Sequence, residues 1–297
     1  MCGIVGLFLK NERLESRLGA LVSQMLGVMN DRGPDSAGFA IYGAGESGRI
    51  KLTLRGDRRT AGLLFAQFEE AFEVPADFTV RDSHAVLTFP AEHEAAARAW
   101  LAETHPQVHL VGAGRRMELY KEVGLPSDVA EMFGLVEMTG THAIGHTRMA
   151  TESQVTTDGA HPFSTGPDQC LVHNGSLSNH NDVRRRLQRE GFTFETQNDT
   201  EVAAGYLSWR MREGDSLKQA LEASLEDLDG FYTFVVGDET GFAVLRDPIA
   251  CKPAVMAETD DYVAFGSEYR CLVGLPGIEA ARMFEPEPAT VYAWERH

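Results

Sequence analysis

Cysteine is scarce in this chain: four in 297 residues, at Cys2, Cys170, Cys251 and Cys271, with no CxxC pair. Thiols so scattered argue against a disulfide framework and against a thiolate-rich zinc site. Basic residues are short as well. Lys and Arg total 27 against 44 Asp and Glu, a formal net charge of −17, which repels a phosphate backbone and sets nucleic acid aside as a partner. No apolar run approaches the roughly 20 residues that span a bilayer. The opening apolar run is too short for a secretory signal and lacks a basic flank. A cytoplasmic protein without membrane association is therefore expected. The ten histidines give little metal signal. His142 and His146 in THAIGHTR share a strand face by alternation, but satisfied structural histidines are the expectation there, and no metal site is expected.

What is present is an ordinary globular composition, 43% hydrophobic and 24% charged, sufficient for one large domain or two small ones. Leu14, Leu18, Leu21, Met25 and Met29 recur at helical spacing and predict a helix over about 14–29. It stops at NDRGPDSAG, a cluster of turn formers, before the strand GFAIYG. The segment from about 50 to 135 has its own periodicity: FTVRDSHAVLTF reads as one or two strands, EHEAAARAWLAE as a helix, VHLVGAGR as a strand and SDVAEMFG as a short helix. It is expected to form an inserted α+β subdomain. From His142 the strand AIGHTRMAT, a loop to AHPF, the strand QCLVH and the turn NGSLSNH follow. Three helices come next. DVRRRLQRE ends at Gly191, TEVAAGYLSWRMRE opens at Asp199 or Thr200, and a third opens on a Ser216/Gln219 capping box. The strands FYTFVVGD, GFAVLRD, PAVMAET and YVAFGSE fill the last third. The fold class is α+β, packed antiparallel sheets with helix layers outside.

The chain opens MCGIVGLFLK. Ile4, Val5, Leu7 and Phe8 suit a buried strand, and Cys2 can be a small apolar residue beside it. Alternatively, removal of Met1 leaves Cys2 with both a thiol and the free α-amine, a nucleophile carrying its own base. Elsewhere, RGPD makes a good turn, Asn174-Gly175 a hairpin, Asp199-Thr200 a helix cap, and Arg148 a surface charge at a strand end. Each of these alone reads as structure.

Their order along the chain says more. MCGIVG, RGPDSAG, GHTRMAT, AHPF, HNG and NDTEV, continued by RDPIACKPAV and YVAFGSE, resemble the class II glutamine amidotransferases, glutaminase domains with an N-terminal nucleophile. The resemblance covers about 1–45 and 140–275. It implies a four-layer αββα sandwich, one amidotransferase domain over 1–297 carrying the insertion at about 50–135, and a set of roles. Cys2 would attack the side-chain amide of L-glutamine, its α-amine accepting the thiol proton. Asn174, through its side-chain amide, and Gly175, through its backbone N–H, would form the oxyanion hole. Arg148 would pair with the substrate α-carboxylate, where a planar guanidinium suits bidentate binding. Asp199 would take the α-ammonium, Thr151 would add a substrate contact, and Arg32 would support the nucleophile. Ammonia would leave first, and water would then hydrolyse a γ-glutamyl thioester.

Some relatives read Arg-Trp-Ala-Thr-His where this chain has Arg148-Met149-Ala150-Thr151-Glu152. Closure of the site must use other groups here. The family's larger enzymes add an ammonia-consuming domain, and no segment is expected to serve as one in this sequence. The length, the RGPDSAG form and the inserted segment look most like the small amidotransferase subunits of split glutamate-synthase-like enzymes, among them those of N-methylglutamate synthase. That likeness implies a separate synthase subunit carrying flavin (FMN) and an iron–sulfur cluster, with no cofactor in this chain. Two other readings stand beside it. A glutamine-binding or assembly subunit without catalysis needs no terminal thiol, and a hydrolase of another amide needs no Arg148–Asp199 pair.

Overall fold

A computed structural model describes residues 2–149 and 154–296. In chain order the strands are β1 Gly3–Leu9, β2 Ser36–Tyr42, β3 Arg49–Arg55, β4 Asp77–Arg81, β5 His84–Pro90, β6 His109–Gly114, β7 Met117–Val123, β8 His142–Arg148, β9 Phe163–Gly166, β10 Gln169–Leu177, β11 Gly230–Gly237, β12 Gly241–Arg246, β13 Val255–Glu258, β14 Tyr262–Gly266, β15 Arg282–Phe284 and β16 Val291–Glu295. The helices are α1 Leu18–Gly27, α2 Arg58–Phe72, α3 Glu94–Thr104, α4 Pro126–Met132, α5 His180–Arg189, α6 Asp199–Arg212 and α7 Leu217–Asp227.

Three antiparallel sheets result. Seven strands run in the order β15-β13-β14-β1-β8-β2-β7, five in the order β16-β12-β11-β10-β9, and four in the order β4-β5-β3-β6. The opening strand shows how the first two stack. Every residue of β1 is buried, and alternation sends Val5, Leu7 and Leu9 to one face and Ile4 and Phe8 to the other. The first set packs with Leu21, Val22, Met25 and Leu26 of α1 and with Val129 and Ala130 of α4. The second packs with Val172, Val235, Phe242 and Val244 of the five-stranded sheet. The outer face of that sheet, through Leu171, Tyr232, Phe234 and Leu245, meets Leu187, Val202, Tyr206 and Leu221 of α5, α6 and α7. Helices, two sheets and helices again make the four-layer αββα sandwich of antiparallel sheets.

The helix expected over about 14–29 is shorter. A 3-10 turn over Glu12–Arg17 precedes α1, because the Asn11 side chain caps the Arg13 amide ahead of it. The segment expected as an insertion at about 50–135 divides between two structures. β3 to β6 with α2 and α3 enclose a separate core of Ile50, Leu52, Leu54, Phe68, Leu87, Phe89 and Leu101. β7, however, pairs with β2 in the main sheet, and α4 lies in the α1 layer. Residues past 266 supply an edge strand to each main sheet, β15 beside β13 and β16 beside β12. Asn174-Gly175 is not a hairpin turn. Both residues lie within β10, paired with Thr233 and Tyr232 of β11. Among the described residues no helix is long and apolar enough to cross a membrane.

Candidate active site

The register of β1 against β8 sets Gly3 opposite Thr147. Cys2 therefore sits at the strand end beside Arg148, with its Sγ 4.0 Å from the Met149 carbonyl. Two side chains hold the Cys2 main chain, one from the loop between α1 and β2 and one from the five-stranded sheet. Arg32 Nε donates to the Cys2 carbonyl at 2.7 Å while Arg32 Nη1 pairs with Glu268 at 2.5 Å. Asn174 Nδ2, reaching across from β10, donates to the same carbonyl at 3.3 Å. Ser267, next to Glu268, accepts the Ile4 amide through its hydroxyl at 2.9 Å. The first residues of the chain are thus fastened before any substrate arrives.

Cys2 is half-buried, and the other thiols differ from it. Burial pushes Cys170 and Cys271 up to about 12, which keeps both as inert thiols. Cys251 lies exposed in the loop after β12.

β10 also positions the acidic group. Asn198, not Asp199 or Thr200, caps α6: its side chain accepts the Thr200 amide at 2.9 Å. This leaves Asp199 as the first helical residue, where a carboxylate is favoured by the helix dipole. Its Oδ2 accepts the Leu177 amide at 2.9 Å and its Oδ1 lies 3.6 Å from His173 Nδ1. Burial works to raise the Asp199 pKa, but hydrogen bonding and charge from His173, the Leu177 amide and His180 outweigh it and bring it to about 2. Asp199 is thus a fixed anion next to the strand that carries Asn174 and Gly175. Arg148 is buried at the end of β8, its Nη1 donating to the Gln154 carbonyl at 3.3 Å. Thr151 lies outside the described residues.

Sequence reasoning read His142 and His146 as structural histidines and gave no role to His161 and His173. His173 Nδ1 and His161 Nε2 both meet the Thr200 hydroxyl, at 3.0 and 3.3 Å. His146 stacks on His161 with ring centroids 4.0 Å apart and donates from Nε2 to the His173 carbonyl at 3.0 Å. Burial drives His146 down to about 3 and His161 well below its ordinary value. A neutral, hydrogen-bonded stack therefore supports β10 directly behind Asn174. His142 is likewise neutral, donating from Nε2 to the Asp238 carbonyl at 2.9 Å and stacked on Tyr42. The HNG and AHPF motifs contained the signal, but a buried histidine's partners are set by strands distant in sequence.

Comparison with known proteins follows the same lines. Residues 146–274 match a family model described as a glutamine amidotransferase domain. The chain is 62% identical over 298 residues to the glutamine amidotransferase-like protein GlxB of Rhizobium meliloti (strain 1021), covering 99% of this chain and 98% of that one. It is 33% identical over 304 residues to a putative glutamine amidotransferase of Methanothermobacter thermautotrophicus, covering 98% and 99%. Among solved structures it is similar to glutamine phosphoribosylpyrophosphate amidotransferase from B. subtilis, with a TM-score of 0.61 at 19% identity over 99% of this chain and 49% of that one. At that identity the likeness is one of fold.

Proposed function

The chain belongs to the glutamine amidotransferase family, and we propose that it hydrolyses L-glutamine to L-glutamate and ammonia through Cys2. The carrying observation is the joint hold of Arg32 and Asn174 on the Cys2 carbonyl, which supports Cys2 as the nucleophile. Once Met1 is removed, the Cys2 α-amine has a reference pKa of about 7.7–8.0, so roughly a fifth to a third of it is neutral near pH 7.4. It takes the thiol proton as sulfur adds to the side-chain carbonyl carbon of glutamine. The oxygen that becomes negative would be met by Asn174 Nδ2 and the Gly175 N–H. Proton transfer from the α-ammonium to nitrogen expels ammonia and leaves a γ-glutamyl thioester. Water then attacks the thioester, releasing glutamate and restoring the thiol.

Arg148 and Asp199 supply opposite charges for the two ends of an α-amino acid, Arg148 for the carboxylate and Asp199 for the ammonium. This pairing favours glutamine over a simple amide. A separate synthase subunit is the proposed ammonia acceptor, supported by the likeness to split glutamate-synthase-like enzymes; FMN and iron–sulfur chemistry would belong to that partner.

The test is glutamate release from glutamine by the purified protein, alone and with its partner, beside the intact mass after exposure to a diazo-ketone glutamine analogue. A chain lacking Met1 with one adduct is expected, and Cys2→Ala should abolish both adduct and release while remaining folded. Normal turnover by Cys2→Ala would remove Cys2 from the mechanism. Cys251, also accessible, serves as the internal control for unselective alkylation.

A further inference from the structure

Past Arg148, residues 154–160 return the chain to β9, and their anchorage is unusual in its source. Arg55, the last residue of β3 in the inserted sheet, forms an ion pair with Asp158. Ser83, in the turn between β4 and β5, donates to Glu122 Oε2 at 3.1 Å, and Glu122 Oε1 accepts the Thr157 hydroxyl. The inserted sheet therefore reaches this segment twice, once directly and once through Glu122. From the main sheet, the buried Lys121 ammonium donates to the carbonyls of Asp158 at 3.1 Å and Ala160 at 3.0 Å. The segment also lies flush on β2, because a Cβ at Gly38 would stand 2.3 Å from the His161 carbonyl oxygen.

The opposite end of the segment touches the site. The Gln154 carbonyl accepts from Arg148 Nη1, and a Cβ added at Gly159 would stand 3.4 Å from the same guanidinium nitrogen. Elsewhere a cavity of about 410 Å3, lined by Lys121, Asp158, Gly112, Phe163 and Glu201, separates the segment from β6. Discrete polar ties thus connect the inserted sheet to the segment that contacts Arg148.

Building on the glutaminase reading above, we infer that the inserted four-stranded sheet is a positioning device for glutamine binding, with Arg55–Asp158 and Ser83–Glu122–Thr157 setting the orientation of Arg148 through residues 154–160. Arg55, Glu122 and Thr157 are positioning residues: none is placed against the reacting atoms. A load on the inserted sheet, such as a docked synthase subunit, would reach the substrate carboxylate through these ties without touching Cys2.

Steady-state kinetics on full-length Arg55→Asp, Asp158→Arg, the double exchange and Thr157→Val test this. The Asp158 side chain is exposed and that of Arg55 half-buried, and a pair open to water on one side adds little to global stability, so the variants should fold. Each single variant should raise the glutamine KM by about tenfold with kcat within about twofold, since misplacing a binding group costs affinity while the nucleophile is untouched. The double exchange should return KM to near wild type. Unchanged KM in all three single variants, a loss confined to kcat, or no recovery in the double exchange would each overturn the inference alone. Absence of glutamate release by the wild type overturns the proposed function and the inference with it. Should Arg55→Asp not fold, the KM of Thr157→Val decides through the Glu122 route: a rise supports the inference and an unchanged value overturns it.

Discussion

The side-chain amide of Asn174 donates to the main-chain carbonyl of Cys2 across the two stacked sheets, at 3.3 Å. That length is beyond the usual N–H···O range, so the bond holds Asn174 near the nucleophile and is easily surrendered to a stronger acceptor. A developing oxyanion is such an acceptor. Asn174→Ala should therefore lower kcat by about 10²–10³ with a much smaller change in KM, as loss of one oxyanion donor does elsewhere. Arg32 still grips the Cys2 carbonyl in that variant, so labelling of Cys2 by the diazo-ketone analogue should persist. Equal losses in kcat and labelling would assign Asn174 to placing Cys2 instead.

Gly175 adjoins that donor and has no tolerance for a side chain. Its φ is +150°, and a Cβ there would stand 1.9 Å from the Phe231 carbonyl oxygen of the neighbouring strand. Gly175→Ala must open the β10–β11 ladder or twist β10, so stability should fall by at least about 2 kcal/mol. Thermal unfolding measures this. A variant as stable as wild type would mean that β11 yields at no cost.

How much of this could be read from the sequence depends on whether the determining contacts are local. Ile4, Val5, Leu7 and Phe8 announce a buried strand by their composition, and Ser216 with Gln219 announces a capping box that forms as expected. The Asn174-Gly175 pair misled because the same dipeptide serves a hairpin or a strained strand. The choice is made by Phe231 and Tyr232, more than fifty residues away in sequence. β7 carries little local signal because MELYKEV alternates weakly and its place beside β2 is tertiary. β15 and β16 are short edge strands, specified by the sheets that receive them. Cys2, Asn174, Arg32 and Asp199 were legible as motifs, whereas Glu268, Thr200 and the histidine stack act only through folded geometry.

The histidines also set an acid limit. His84, His142 and His146 are held at about 3 by burial, and His161 lies well below its ordinary value. In the unfolded chain each titrates near 6.5. A depressed folded pKa means that their contribution is fully present above about 6.5 and is lost as pH falls toward the folded value. Each such group removes about 1.4 kcal/mol per pH unit inside that window. Against a total stability of order 5–15 kcal/mol, acid unfolding should begin around pH 5, well above the range in which Asp199 takes a proton. A Tm that is flat from pH 7 to 4 would show that these rings admit a proton while folded.

Asp199 provides the complementary test, because its charge persists where the histidines have failed. Its pKa of about 2 keeps it anionic across the pH range in which the protein is folded. Its two oxygens are also divided: Oδ2 takes the Leu177 amide, leaving Oδ1 on the His173 side. Asp199→Asn retains an acceptor for Leu177 and removes the negative charge alone. If Asp199 binds the substrate ammonium, KM should rise by about 10- to 100-fold, the usual worth of a charge-assisted hydrogen bond. An analogue lacking the α-amino group should lose its disadvantage against glutamine in the same variant. Stability should also fall, by about 2 kcal/mol at neutral pH, since a carboxylate depressed from 3.8 stabilises the fold above that value and ceases to do so as pH drops toward 2. A stability loss with unchanged KM would make Asp199 an internal brace for β10, and the ammonium would then need a different partner.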